Sequence, residues 1–225
     1  MKVGAYAAAA GSIQEQRRLD VIANNMANAN SPGFKKDSIH FSNVMGAITH
    51  TSFEQGLIRD TGHNMDVALS GNGFLRVQGD QGVLYTRSGS LMLDKSKTLV
   101  TKNGWPVLGK SGPIRIEKPD KMRIDEEGQV FDGNVRVNNL DIVHFPPDTR
   151  LNKIKGGYFE PADGVEPMKA PNCTVRQGAL EGANFNPVEE MIKMVETTRN
   201  FEAYQKMMQT FDRDLDAQLI SKLAG

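Results

Sequence analysis

The chain has 225 residues, which is enough for one large domain or two small ones with a buried core. Its 27 acidic and 27 basic residues balance, and no run of lysine or arginine occurs, so binding to nucleic acid or to an anionic membrane has little support. The single cysteine, Cys173, excludes an intramolecular disulfide. No apolar run approaches the roughly 20 residues that would span a bilayer.

The first segment has the periodicity of a helix from about residue 3 to residue 29. Leu19, Ile22 and Met26 fall on one face, and small residues dominate the first half, which would let another helix approach closely. The turn cluster 30–33 should end this helix, because Pro32 disfavours a helical conformation at the residue before it. The charged residues that follow the Ala-rich start argue against a cleaved secretory signal. We expect this segment to be part of the mature protein.

The middle of the chain consists of two segments with different residue patterns. Residues 34–64 have little periodicity and predict an extended linker segment with at most short strands. From residue 65 to residue 184, short alternating runs are separated by Gly, Asn, Asp or Pro at spacings of about 8 to 12 residues. This spacing indicates a β-rich central domain that is mostly antiparallel.

The last segment, 185–225, predicts a second and longer helix. Asn186 is placed to cap it, with Pro187 at the first helical position and Glu189 completing a capping box. Apolar or aromatic residues, with one threonine among them, then recur at three- or four-residue steps from Val188 to Leu219. The only comparable helix is 1–33, so we predict an α+β fold in which the two terminal helices pair as a coiled-coil-like, discontinuous α domain.

Candidate catalytic and metal-binding residues are few. The four histidines, His40, His50, His63 and His144, show no metal-ligand spacing, so no metal, cofactor or small-molecule ligand is expected. Cys173 has no histidine near it in sequence, although a distant partner remains an alternative. An assembly or binding protein is therefore favoured over an enzyme.

Three groups of motifs resemble one protein family. The N-terminal motif runs from Leu19 to Lys35 and reads LDVIANNMANANSPGFK. The central motifs are DVALSGNGFL at 66–75, YTRSG at 85–89 and VLG at 107–109. The C-terminal motif is QGALEGAN at 177–184, followed by NPVEEM at 186–191, ETTR at 196–199 and FEA at 201–203. Together they resemble the bacterial flagellar rod and hook proteins, and the length and residues 186–191 are most like the proximal-rod type. The distal-rod and hook types are the alternatives within the family.

The resemblance implies a structural axial subunit of the flagellar basal-body rod, which acts as a drive shaft in motility. Its implied partners are copies of itself, neighbouring rod proteins and the flagellar type III export apparatus. The implied location is the periplasmic rod of the basal body, reached without a cleaved signal peptide. An alternative of another class is a soluble scaffold that binds a partner helix. A third hypothesis is a hydrolase that uses Cys173 and a remote histidine.

If the chain is a rod subunit, seven residues of the terminal helices are predicted to form the contacts through which it assembles. They are Leu19, Ile22, Met26, Val195, Phe201, Met208 and Leu215. The competing interpretation is that these residues only hold one folded domain together.

Overall fold

The computed structural model describes residues 2–42, 46–146, 149–162, 165–170 and 172–223, and at 2–3, 42, 212 and 214–223 it describes the backbone alone. The fold is α+β, as the sequence predicts, with one long helix at each end and every strand pairing among the described residues antiparallel. The helices are α1, Lys2–Ala27, and α2, Pro187–Leu223. In the described part of the chain neither helix has an apolar stretch long enough to cross a membrane.

The strands follow one another closely between the helices. They are β1 Asp37–Ser42, β2 Gly46–Thr51, β3 Ile58–Asp60, β4 Val67–Ser70, β5 Phe74–Gln78, β6 Val83–Thr86, β7 Leu91–Leu93, β8 Leu99–Thr101, β9 Leu108–Gly109, β10 Gly112–Pro113, β11 Met122–Ile124, β12 Gln129–Asp132, β13 Val135–Asn139, β14 Ile142–His144, β15 Leu151–Ile154, β16 Tyr158–Pro161, β17 Met168–Lys169, β18 Thr174–Gln177 and β19 Ala179–Glu181. A 3-10 turn, Pro119–Lys121, precedes β11.

The chain divides into two compact units. The first unit, residues 1–29, 36–52 and 185–225, contains α1, α2 and the hairpin of β1 and β2. The hairpin pairs Asp37 with Thr51, so the segment predicted as a linker carries regular strands at 37–42, at 46–51 and again at β3. Because this hairpin belongs to the same unit as the helices, it supplies side chains to the helix pair.

The second unit, residues 30–35 and 53–184, contains β3 to β19. Its largest sheet has six strands in the order β15-β16-β6-β5-β14-β17, while β4 pairs with β18 and β3 with β19. The main core of this unit includes Leu75, Leu99 and Ile114, all fully buried. A second cluster packs Phe74 edge-on against Phe159 with ring centroids 5.7 Å apart. Strand pairs distant in sequence are held together by these two cores.

The local signals at the segment boundaries act as predicted. Helix α1 ends at Ala27, and Gly33 closes the following turn with a φ of +67°, a conformation that favours glycine. Helix α2 begins at Pro187, and the Asn186 side-chain oxygen accepts a hydrogen bond of 3.0 Å from the Val188 N–H. The turn at Gly104 is closed by its N–H donating to the Thr101 carbonyl at 2.9 Å.

Candidate assembly surfaces

The two terminal helices run antiparallel and contact each other from the start of α1 to its last turn. Near the start of α1, a Cβ atom at Gly4 would lie 2.9 Å from the Phe211 ring, and one at Gly11 would lie 2.5 Å from the Tyr204 ring. At the other end of the pair, the Asn25 amide donates to the Glu190 carboxylate at 3.4 Å. The glycines of α1 therefore let aromatic side chains of α2 pack directly on its backbone.

Replacing Gly11 by leucine is expected to destabilise the helix pair by about 1–3 kcal/mol, because the new side chain would overlap the Tyr204 ring. Leucine has a helix propensity about 1 kcal/mol better than glycine, so the overpacking must exceed that gain to be seen. Urea unfolding followed by circular dichroism at 222 nm measures the change. Ala10→Leu on the exposed side of the same helix is the matched control and should not destabilise the protein. The double variant Gly11→Leu/Tyr204→Ala should recover part of the loss, and no recovery would contradict the proposed overlap.

A buried polar cluster joins α1, α2 and the β1 strand within the first unit. Asn25 and Glu190 are each 1% exposed. Asn25 donates to the Asp37 carbonyl at 2.8 Å and accepts from the Asp37 N–H at 3.0 Å. Glu190 accepts from Lys36 and, at 3.0 Å, from Lys193. Because the partners come from three segments (α1, α2 and residues 36–37), the cluster fixes the end of α1 and the start of α2 against the hairpin.

The charge state of Glu190 follows from two opposing effects. Burial by itself would raise the pKa of Glu190, but the hydrogen bonds from Lys36, Lys193 and Asn25 outweigh it and hold the pKa below its ordinary value of 4.5. A carboxyl group whose pKa is lowered by folding stabilises the folded state above its unfolded pKa. That stabilisation is lost as the pH falls through the folded pKa.

We therefore expect the helix pair to lose stability below about pH 4.5, and Glu190→Gln to remove part of that pH dependence. The measurement is the urea midpoint of the 222 nm signal from pH 7 to pH 3 for both proteins. Glu189→Gln, one residue away and exposed, is the control and should keep the wild-type profile. Identical profiles for wild type and Glu190→Gln would contradict the assignment.

A second buried cluster, which we call the Glu181 cluster, lies in the second unit and consists of Glu181, Lys35 and Arg87. Their exposed fractions are 1%, 1% and 4%. Glu181 binds the Lys35 ammonium at 2.8 Å with one carboxylate oxygen and the Arg87 guanidinium at 2.5 Å with the other. The Gly56 N–H donates to the same carboxylate at 2.7 Å. Desolvation by burial lowers the pKa of Lys35 despite its attraction to Glu181.

The remaining donors of the Glu181 cluster are also satisfied by the second unit. Arg87 donates to the Gly73 and Leu69 carbonyls at 2.5 and 2.9 Å, and Lys35 donates to the Glu54 carbonyl at 2.6 Å. The Glu181 carbonyl accepts from the Gly33 N–H at 2.7 Å. The cluster thus ties segments 33–35, 54–56, 69–73 and 87 to the strand that leads toward α2. Lys35, Arg87 and Glu181 each belong to one of the sequence motifs, but nothing in the sequence predicted that their side chains contact one another.

The seven residues predicted to carry assembly fall in different surroundings. Ile22 is 9% exposed and Leu19, Met26, Phe201 and Met208 are half-buried, whereas Val195 is 52% exposed. The side chain of Leu215 lies outside the described residues. The six members whose side chains are described therefore do not form one continuous surface, and the assembly role of the set stays a prediction.

The apolar stripe of α2 changes face along the helix. Val188, Met191 and Val195 are more than half exposed, while Tyr204 and Met208 are half-buried. A three-residue step turns about 60° less than a full helical turn, so the three consecutive steps from 195 to 204 rotate the stripe by about 180°. The early part of the stripe consequently lies on the side of α2 opposite Glu190 and Thr197, which are buried.

Comparison with known proteins places these features in a family. Three family profiles match: "flagella basal body rod protein" at 6–35, "flagellar hook protein FlgE/F/G D1 domain" at 68–132, and "flagellar basal body rod FlgEFG protein C-terminal" at 176–221. The flagellar basal-body rod protein FlgF of Caulobacter vibrioides is 32% identical over 214 residues, covering 86% of each chain. This chain belongs to the flagellar basal-body rod protein family. Its function is that of a structural component of the flagellar rod.

Other relatives match along nearly the full length. FlgF of Rhizobium meliloti is 27% identical, covering 100% of this chain and 99% of its own. The rod protein FlgG of Bacillus subtilis is 28% identical, covering 93% of this chain and 95% of its own. Each of the three matched segments supplies one member of the Glu181 cluster, Lys35, Arg87 or Glu181. The separated segments that identify this rod protein are joined physically in its second unit.

Proposed function

We propose that this rod protein is a proximal-rod subunit of the FlgF type, which polymerises through its terminal helices as part of the drive shaft for motility. The observation that carries the proposal is that α2 has two apolar faces. One contacts α1 within the same chain, and the other exposes Val188, Met191, Ile192 and Val195. A second apolar face on a paired helix is suited to contact with another subunit.

The proposal includes the organisation of the chain. Segments 1–33 and 185–225 form one discontinuous α domain whose helices pair in a coiled-coil-like manner, with 34–64 as a connecting segment and 65–184 as the β-rich domain. The antiparallel contacts of Gly4 with Phe211 and of Gly11 with Tyr204 support the pairing. Non-closing contacts between identical subunits would then build a helical tube.

The remaining partners and the location follow from the rod role. We infer export by the flagellar type III apparatus without a cleaved signal peptide, followed by assembly with other rod proteins in the periplasm. The N-terminal segment that would have to serve as a signal is part of α1, where Ala8 and Ser12 are buried. Its removal would delete half of the helix pair.

The proposed role is structural and not enzymatic. The hydrolase hypothesis requires Cys173 as a thiolate nucleophile, but burial raises the pKa of its thiol, although the Arg87 charge acts in the opposite direction. The thiol form is therefore favoured at neutral pH. Cys173→Ser should leave motility unchanged. Loss of motility in a variant that still folds would instead support the hydrolase hypothesis.

Deletion of the gene, followed by electron microscopy of isolated basal bodies, tests the proposed position. A proximal subunit predicts non-motile cells whose basal bodies lack the rod and hook. A basal body that retains a rod stub would instead favour the distal position, which the 28% identity to FlgG supports as the second candidate. Complete basal bodies, together with a soluble complex of fixed stoichiometry, would favour the helix-binding scaffold and overturn the rod assignment.

A further inference from the structure

Helix α1 also carries apolar residues on the side that faces away from α2. Tyr6 is 76% exposed and Ile13 is 55% exposed. They lie seven residues apart, on one face, and nearly half a turn around the helix from Ala8, which is buried. We call Tyr6 and Ile13 the outer patch of α1.

The outer patch of α2 consists of Val188, Met191, Ile192 and Val195, which are 51–61% exposed. It also spans seven residues, about 10 Å of helix, the same length as the outer patch of α1. Both patches belong to the first unit, and both remain accessible while α1 and α2 are paired.

The two outer patches lie at different heights along the helix pair. Gly11 faces Tyr204 and Asn25 faces Glu190, so the residue numbers of two positions at the same level of α1 and α2 add up to 215. The centre of the α2 patch therefore lies level with position 23 or 24 of α1, whereas the α1 patch is centred between positions 9 and 10. This offset is about 14 residues, or about 21 Å at a rise of 1.5 Å per residue.

We propose that the outer patch of α2 in one copy of this chain docks on the outer patch of α1 in a second copy, displaced by about 21 Å along the helix axes. The inference deepens the proposed function and rests on it. Patches that are different and offset make a heterologous contact, which does not close on itself and therefore adds copies along a helical path.

Charge complementarity supports this docking. Copies related by rotation about and translation along one tube axis keep the same polarity, so α2 of one copy runs antiparallel to α1 of the next. In that arrangement Val188 meets Ile13, and Val195 meets Tyr6. The Ile13 end of the α1 patch carries the exposed base Arg17, while the Val188 end of the α2 patch carries the exposed acid Glu189. The two oppositely charged ends meet.

The size of the patches fits a polymer better than a stable dimer. Two turns of helix on each side bury far less than the roughly 1,200 Å² that a specific stable complex requires. One such contact is weak, but a subunit in a tube makes several at once, so that binding is strengthened by multivalency. The contact should accordingly be sought in assembled basal bodies.

Site-directed cross-linking tests the docking. Two differently tagged copies, one with Ile13→Cys and one with Val188→Cys, are expressed together in a Cys173→Ala background in cells lacking the native gene. Isolated basal bodies are treated with a short bismaleimide, and dimers are identified by their tags. The matched control replaces Ile13→Cys with Gln14→Cys, which is exposed on the adjacent side of α1. The amount of each tagged variant in the isolated basal bodies is measured before cross-linking.

A dimer that contains both tags, strong for the pair 13/188 and much weaker for the pair 14/188, is the expected result. Three outcomes would overturn the docking while leaving the rod function intact: no dimer although the chain is present in basal bodies, equal yields for both pairs, or cross-links only to a different protein. Dimers formed between two Ile13→Cys copies would show a symmetric contact and also overturn it. Absence of the unmodified chain from basal bodies would overturn both the docking and the proposed function.

Discussion

Replacing Glu181 by alanine is expected to lower the free energy of unfolding by about 3–5 kcal/mol, because it leaves the charges of Lys35 and Arg87 buried without a counter-ion. The Gly56 N–H would lose its acceptor as well. This is a large fraction of the stability of an ordinary domain. Urea unfolding followed by the fluorescence of Trp105, which belongs to the second unit, measures the effect.

The matched control for this variant is Glu117→Ala. Glu117 forms an ion pair of 2.5 Å with Lys97, but the two side chains are 70% and 51% exposed. An exposed pair of this kind contributes about 0–1 kcal/mol, so the control should unfold almost as the wild type does. Equal losses for the two variants would show that burial of the Glu181 cluster does not determine its contribution.

Replacing Ile192 by glutamate is expected to abolish motility without unfolding the protein. Ile192 is 55% exposed, so the change in the free energy of unfolding should stay within about 0.5 kcal/mol. In the assembled rod the same carboxylate would have to be buried without a partner in the contact between copies, which is strongly unfavourable. Swimming in soft agar and the amount of the chain in isolated basal bodies are the two measurements.

Met207→Glu provides the comparison for Ile192→Glu. Met207 is 46% exposed on the same helix but lies outside the outer patch of α2, so this variant should assemble and swim. Ile22→Glu, in contrast, places a charge in the contact between α1 and α2 and should lower the 222 nm signal of the isolated protein. Normal motility of Ile192→Glu, or equal loss for Met207→Glu, would contradict the assignment of the outer patch.

The amino-acid sequence by itself determined the elements whose causes are local. The Asn186 cap, the turn ending at Gly33 and the alternation of the short strands act within a few residues, so they can be read directly. The motifs were sufficient to indicate the family, which the comparisons confirmed.

Only the tertiary structure decided which side chains meet and which face outward. Glu181 lies 146 residues from Lys35 and 94 from Arg87, and no local pattern indicates that these charges share one buried site. The apolar stripe of α2 is continuous in the sequence. The three consecutive three-residue steps from Val195 to Tyr204 nevertheless move it from the outer face of the helix to the face that contacts α1. The physical reason is that burial depends on what packs against a residue, and for α2 that partner is a helix from the other end of the chain.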